Sequence, residues 1–409
     1  MKIRSITYFL NPKYPLDENA LRKAGEFLAQ AKSTYEAAGY EVQTMRLATT
    51  PFPKLLNGKI NETPRFAQKM SEMLKQIGVA YAALGPALIE FPESYDVIPE
   101  AIAASENIFF GGVMADGKNG ISLQAIKACA KIIQQASTIT PDGFANLRFA
   151  ALANVKAGAP FFPAAYWDQD QPAFAIATEA ADLAVNAFAN QQTMDGGRRA
   201  LTASITKHGK AIDRIAQSLI PNPQSVIFNG IDFSLAPFPD DAHSLGRAVE
   251  NMGVSKIGLH GSLAAAAILT EAIDRADFPH TGFSGFMQPV LEDSVLAKRA
   301  AEGALTIKDA LLYSAVCGTG LDTVPLPGDA TAEQIAPLLL DLSALAMRLD
   351  KPLTARLMPV PGKKAGDDTN FDFAFFANSK VMKLESENLS AALSGNDAFQ
   401  LSARKNDPS

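Results

Sequence analysis

A chain of 409 residues, 47% hydrophobic and 20% charged, can bury a large core and has room for two or three ordinary domains or one large α/β domain. Its formal net charge of -6 opposes a phosphate backbone and argues against a nucleic-acid partner. Two cysteines, Cys129 and Cys317, are too few for a disulfide framework or a structural zinc site and fit a reducing, cytoplasmic compartment.

Ile3, Ile6 and Phe9 mark a first strand, too short and too polar for a signal peptide. No run approaches the roughly 18 apolar residues that span a bilayer. Asp17 opens a helix whose Leu21, Ala24, Leu28, Ala31, Tyr35 and Ala38 repeat at steps of three and four, and Gly39 closes it. Residues 42–47 read as a second strand. Thr63-Pro64 starts a helix buried through Phe66, Met70, Met73 and Ile77. Residues 79–84 and 108–113 are apolar strands, followed by a helix with Leu123, Ile126, Ala130 and Ile133 inward and Cys129 beside that face. Residues 149–153 form a strand that runs into a proline- and aromatic-rich loop over 158–167. Strands are expected at 174–176, 225–234, 283–287 and 355–360, and helices at 178–189, 204–220, 244–252, 262–272, 293–302 and 307–313. Thr331 and Gln334 make a capping box for a helix that runs towards Arg348. Repeated β-α units without a composition break predict one α/β domain over residues 1–382, its sheet mostly parallel and open or closed. A polar tail over 383–409 follows and frays at Lys405-Asn-Asp-Pro-Ser409.

The densest cluster of unusual residues runs from Cys317 to Asp329. A thiol flanked by a Gly-Thr-Gly turn, with Asp322 after it, can be a nucleophile if a base or a helix N-terminus lowers its pKa; the alternative is a buried small hydrophobe. Asp232 and Ser234 lie two apart on a strand and face one way, which suits a polar ligand or hard cation, or equally a carboxylate capping the amides of the next loop. Arg356 stands in an apolar strand, where a guanidinium is costly unless it meets a carboxylate or a ligand. Lys363, Lys364 and Asp367 follow in a glycine-bounded turn that can receive an anion or be a solvated basic loop. The turn lacks the Walker spacing. Of the four histidines, His260 at a strand end before Gly-Ser is the best acid or base candidate, and none has metal-ligand spacing.

Three motifs in order are similar to those of the domain-of-unknown-function 711 family and the related uncharacterised protein family 0210. They are Asp232-Phe-Ser-Leu-Ala-Pro, Gly320-Leu-Asp-x-x-x-x-Pro-Gly-Asp329 and Arg356-Leu-Met-Pro-Val-Pro-Gly-Lys-Lys-x-Gly-Asp367. Ile3-Arg-Ser-Ile-Thr, Arg148-Phe-Ala-Ala-Leu-Ala-Asn154 and Pro160-Phe-Phe-Pro-Ala-Ala-Tyr166 resemble the same family, so the likeness covers residues 2–382. It implies a fold like the α/β barrel of pyruvate formate-lyase-like glycyl-radical enzymes, ten strands in two half-barrels, and no established reaction. Those enzymes carry a thiol on a loop inside the barrel, for which Cys317 is the counterpart. The radical-glycine motif is missing near the C-terminus, so no glycyl radical is expected.

The expectation is a cytoplasmic α/β barrel that binds a small anionic metabolite and acts on it, if at all, without a radical. Cys317, Asp232, His260 and Asp322 are the catalytic candidates; Ser234, Arg356, Lys363, Lys364 and Asp367 are the ligand-binding ones. No resident metal site is assigned, a divalent cation and a homo-oligomer are left open, and neither nucleic acid nor membrane is expected as a partner. The alternatives are a non-catalytic metabolite sensor and an oligomeric scaffold.

Overall fold

The computed structural model describes residues 1–403 except Pro221, Pro223 and Gln224, so the fraying expected over 405–409 lies outside the described residues. The strands are β1 Lys2–Leu10, β2 Val42–Thr49, β3 Tyr81–Ala87, β4 Ile108–Asp116, β5 Gly120–Ser122, β6 Phe149–Ala153, β7 Ala173–Glu179, β8 Ile227–Asp232, β9 Gly320–Pro327, β10 Leu353–Val360 and β11 Ala398–Phe399. They form one 11-stranded sheet, with a main path of β8-β7-β1-β2-β3-β4-β6-β10-β9 and β5 and β11 to the side. The protein is therefore mixed α/β. Strands β1, β2, β3, β4 and β6 run parallel to one another. The pairs β7-β8 and β10-β9 are also parallel, and each joins the central set through an antiparallel contact, β7 on β1 and β10 on β6.

These strands are near-continuous apolar runs because both of their faces are covered. All five residues of β6 and all eight of β10 are buried, including Arg356 within β10. Helices cover one face. The first, Glu18–Ala37, starts where the Asp17 carboxylate accepts the Ala20 amide at 3.0 Å, and it turns Leu21, Ala24, Leu28, Ala31 and Tyr35 inward, five of the six periodic positions, Ala38 being the exposed C-cap. The capping box of Thr331 and Gln334 opens Ala332–Leu349.

Several elements differ from the sequence reading for local reasons. Residues 178–179 extend β7, and the helix starts only at Ala181. The helix expected from residue 204 starts at Met194, where the Thr193 hydroxyl accepts the Gly196 amide. Residues 320–327, part of the cluster from Cys317 to Asp329 and not among the expected strands, are strand β9. Pro325 and Pro327 cannot donate to a ladder, and they are accommodated because β9 ends the main path.

The expected strand at 283–287 is instead a run fixed largely by side chains. Ile231 N donates to Pro279 O at 2.8 Å and Thr281 N to Ile231 O at 3.1 Å, on β8. Further along, Val290 N donates to Asp322 O at 3.0 Å and the Gln288 amide to Gly320 O at 3.2 Å, on β9. Residues 279–290 thus bond to the strands at both ends of the path.

The described part of the polar tail packs back onto the sheet. β11 pairs antiparallel with β5, and Lys127 Nζ donates to the carbonyls of Ser394 and Gly395 at 2.6 and 2.7 Å. Among the described residues no helix is long and apolar enough to cross a membrane.

Candidate functional site

One face of the sheet encloses a cavity of about 580 Å³. It is lined from β1 by Arg4, from β2 by Thr44 and Arg46, from β3 by Tyr81, from β4 by Phe109, from β9 by Asp322 and from β10 by Arg356. The end of β8 and the residues after it add Asp232 and Ser234, while Met287 and Pro289 come from the run that bonds to both path ends and Glu292 from the loop just after it. Phe161 and Phe162 reach in from the aromatic loop after β6.

A chain of buried charges crosses the wall. Arg356 Nε donates to Asp322 Oδ1 at 2.5 Å and its Nη2 to Glu292 Oε1 at 2.8 Å. Arg4 pairs with the other oxygen of Glu292 and, at 3.3 Å, with Glu179, which also accepts from Gln43 at 2.6 Å. Burial pulls the Arg4 and Arg356 guanidiniums down, but the facing carboxylates outweigh it and hold both above their ordinary value. Burial also lifts Glu292, yet the two arginines overcome this and keep its carboxyl below the usual range. Asp322 goes the other way: burial raises it, Arg356 opposes, and the Glu292 charge adds to the rise. The two carboxylates beside Arg356 are therefore pushed apart.

Arg46 has no such partner. Its Nε donates to Thr44 Oγ1 at 2.9 Å, and its guanidinium carbon lies 5.1 Å from the Phe162 ring centre and 5.9 Å from that of Tyr81. Among the described residues, no carboxylate lies within ion-pair distance of it and its terminal nitrogens have no hydrogen-bond acceptor. Burial, with the Arg4 charge next, pushes it down to about 9, still charged at neutral pH. Arg148, also on the wall, is pushed down to about 10 by burial, but its Nη1 donates to the carbonyls of Ile102, at 3.0 Å, and Ser105.

Asp232 faces the cavity yet serves the loop beside it. Its oxygens accept the Phe283 and Ser284 amides, both at 2.9 Å, and the Ser234 hydroxyl, while Ser234 accepts the Gly285 amide at 3.2 Å. Burial raises the Asp232 carboxyl against these bonds. Gly282 has φ +64° and its missing side chain leaves the space the carboxylate occupies, so the amides can approach.

The candidates from the sequence fall into two groups. Asp232, Ser234, Asp322 and Arg356 share the cavity wall. Cys317, His260, Lys363, Lys364 and Asp367 are not among its lining residues. Cys317 is fully buried, with Sγ 3.7 Å from Thr319 Oγ1 and its amide on Tyr313 O at 3.0 Å. His260 is exposed before the helix Ser262–Asp274. Lys364 and Asp367 close an exposed turn, Lys364 N donating to Asp367 Oδ2 at 2.7 Å. No group of three or more His, Cys, Asp or Glu side chains suited to a metal occurs among the described residues.

Sequence reasoning passed over Arg4, Arg46 and Glu292. The argument that singled out Arg356, a guanidinium inside an apolar strand, applies equally to Arg4 in Ile3-Arg-Ser-Ile6 and to Arg46 in Met45-Arg-Leu47. Glu292 sits in a loop and carries no such signal.

Because both thiols are free and fully buried, Cys129 and Cys317 should react slowly with a small alkylating agent in the native protein, and labelling of each should follow unfolding. Fast labelling of Cys317 alone under native conditions would show that its loop opens.

The sequence model of the family described as Uncharacterised ACR (DUF711) matches residues 1–380. A UPF0210 protein of Methanopyrus kandleri is 29% identical over 369 residues, 86% of this chain and 82% of its own. One of Pyrobaculum arsenaticum is 30% identical over 352 residues, covering 82% and 78% of the two chains. One of Neisseria meningitidis is 29% identical over 364 residues, covering 85% and 80%.

Proposed function

We propose that this chain, which belongs to the DUF711 family, binds a small organic anion in the cavity, with Arg46 receiving the negative charge. The observation that carries the reading is the unpaired Arg46 guanidinium, held between aromatic rings and lacking an acceptor for its terminal nitrogens. A half-buried guanidinium flanked by rings has no counter-ion in the protein, and a bound carboxylate or phosphate supplies one through charge-assisted hydrogen bonds. Arg356 is not free for this task, since Asp322 and Glu292 already neutralise it. It and Arg4 act as a rigid wall that keeps the pocket open.

Catalysis without a radical is the second reading. Its support is the pair Glu292 and Asp322, two carboxyls with environments that push them in opposite directions, as acid-base sites require. A binding-only sensor makes the same anion contacts without turnover, and a scaffold makes none. We place the protein in the cytoplasm on the strength of its two free cysteines.

The frame of the site, in this reading, is a closed barrel formed by residues 1–382 as one unit. Two sets of five support it: β1, β2, β3, β4 and β6 in one, and β7, β8, β9, β10 and residues 279–290 in the other. The antiparallel contacts lie where the sets meet, which accords with the two half-barrels implied by the likeness to pyruvate formate-lyase-like proteins.

The test is a thermal-shift titration of wild type and Arg46→Met with organic acids and phosphorylated metabolites. An anion at a hundred times its dissociation constant should stabilise the wild type by about 2.7 kcal/mol, and Arg46→Met should lose that shift. The protonated guanidinium is the binding form, so affinity should be flat across neutral pH. If no anion stabilises the wild type, or Arg46→Met keeps the full shift, the reading fails.

A further inference from the structure

We infer that the anion is the head of a molecule with a flat apolar body, of which an aryl-substituted monocarboxylate is the simplest example. This rests on the anion-binding reading above. The charge pattern limits the head. Arg4 and Arg356 are ion-paired and Arg148 is held on two backbone carbonyls, so Arg46 is the cation of the wall whose terminal nitrogens lack acceptors. One guanidinium edge matches one carboxylate through two parallel hydrogen bonds.

The surface next to Arg46 sets the body. Tyr81, beside the guanidinium, packs edge-on against Phe109 at 5.3 Å, and Phe109 packs edge-on against Phe162 at 5.5 Å. Phe161 also lines the cavity, beside Arg356 and against Phe283. The hydroxyls of Thr44 and Thr178 on the wall are already directed to the carbonyls of Arg4 and Ser234, at 2.8 and 2.9 Å. A sugar phosphate would bring several hydroxyls to rings of which only Tyr81 has a hydroxyl to pair with them, which is unfavourable once water is displaced.

The cavity edge points the same way. Phe373 and Phe375 are half-buried on a turn closed by Asn378, whose Oδ1 accepts the Phe371 amide at 2.8 Å and whose Nδ2 donates to the Phe371 carbonyl at 3.1 Å. Both rings line the cavity, and each also rests on an aromatic of a different segment: Phe373 on Phe144 at 5.0 Å, Phe375 on Phe238 at 5.8 Å. This fixed, partly wet aromatic rim would be covered by the apolar body of a ligand whose head lies at Arg46.

The experiment is calorimetric titration of the full chain with phenylacetate, acetate, inorganic phosphate and the neutral phenylacetamide. It is run on wild type, Arg46→Met and the double variant Phe373→Ala/Phe375→Ala, whose changes lie on a half-exposed turn. Phenylacetate should bind at least about tenfold more tightly than acetate or phosphate. The double variant should erase most of that advantage without weakening acetate, and Arg46→Met should reduce phenylacetate to the level of phenylacetamide. If acetate or phosphate binds as tightly as phenylacetate and still needs Arg46, the apolar body is overturned and the anion reading stands. If phenylacetamide matches phenylacetate, or nothing binds the wild type, both are overturned.

Discussion

Arg356→Ala should lower the stability of the protein by about 3–5 kcal/mol, read as a reduced denaturant midpoint, because it removes one partner of a buried ionic network and leaves the other charges uncompensated. The guanidinium is the link between Asp322 and Glu292, and all three side chains are almost fully buried. Without it two carboxylates face one another with only Arg4 to answer Glu292. The pH dependence follows from Glu292. Its folded-state pKa is depressed, so its contribution is present above its ordinary value of 4.5 and is lost as pH falls through the lower, folded value. The variant keeps the larger lowering influence of Arg4 and loses the smaller one of Arg356. Its deficit against wild type should be full at neutral pH and should narrow below about pH 5, as the carboxyls take up protons in both folded and unfolded chains. A deficit that is small at neutral pH, or that widens in acid, would show that the network does not hold the wall.

Asp293→Ala should be comparably damaging for a different reason. The Asp293 carboxylate accepts the amides of Val295 and Leu296, at 2.9 and 3.0 Å, in the first turn of Ser294–Ala301. It also accepts the amides of Leu245 and Gly246, at 2.6 and 3.2 Å, in the first turn of Leu245–Asn251, and the Ser244 hydroxyl at 2.6 Å. One side chain thus caps two helix N-termini, and it is fully buried. Truncation leaves those donors without an acceptor or water, at roughly 1–3 kcal/mol for each buried donor that finds no other partner. A loss of about 3 kcal/mol or more is expected, with Asp293→Asn intermediate because its amide keeps one carbonyl oxygen. Equal stability of the Ala variant would mean that water reaches both helix ends.

Much of this arrangement was legible from residue types alone. The helix Glu18–Ala37 follows the step of three and four in its apolar residues as far as Tyr35, which is buried, while Ala38, the last of the expected stripe, is the exposed C-cap. Arg356 stood out because a charge in an apolar strand needs a partner, and it has two. The same physics applies to Arg4 and Arg46, which also stand in strands among apolar neighbours. What a sequence does not display is which cation has been neutralised. Arg356 reads as the free anion receptor until the fold brings Glu292 and Asp322 against it, whereas Arg46 reads as ordinary until the fold leaves it without a carboxylate. Lys363 and Lys364 lie within nine residues of Arg356 in the chain, but the turn after β10 carries them away from the cavity wall. Residues 279–290 were illegible for another reason: they are positioned by Asp232, Ser234 and Gln288 side chains rather than by strand periodicity.

The most direct measurement of the central claim is a crystal structure of the protein with whichever anion gives the largest thermal shift. The account predicts its acidic oxygens at about 2.7–2.9 Å from the terminal nitrogens of Arg46, with the Arg356 bonds to Asp322 and Glu292 unchanged. An anion bound instead at the Lys363-Lys364 turn, or on Arg356 with Asp322 displaced, while Arg46 stays without a partner, would contradict it.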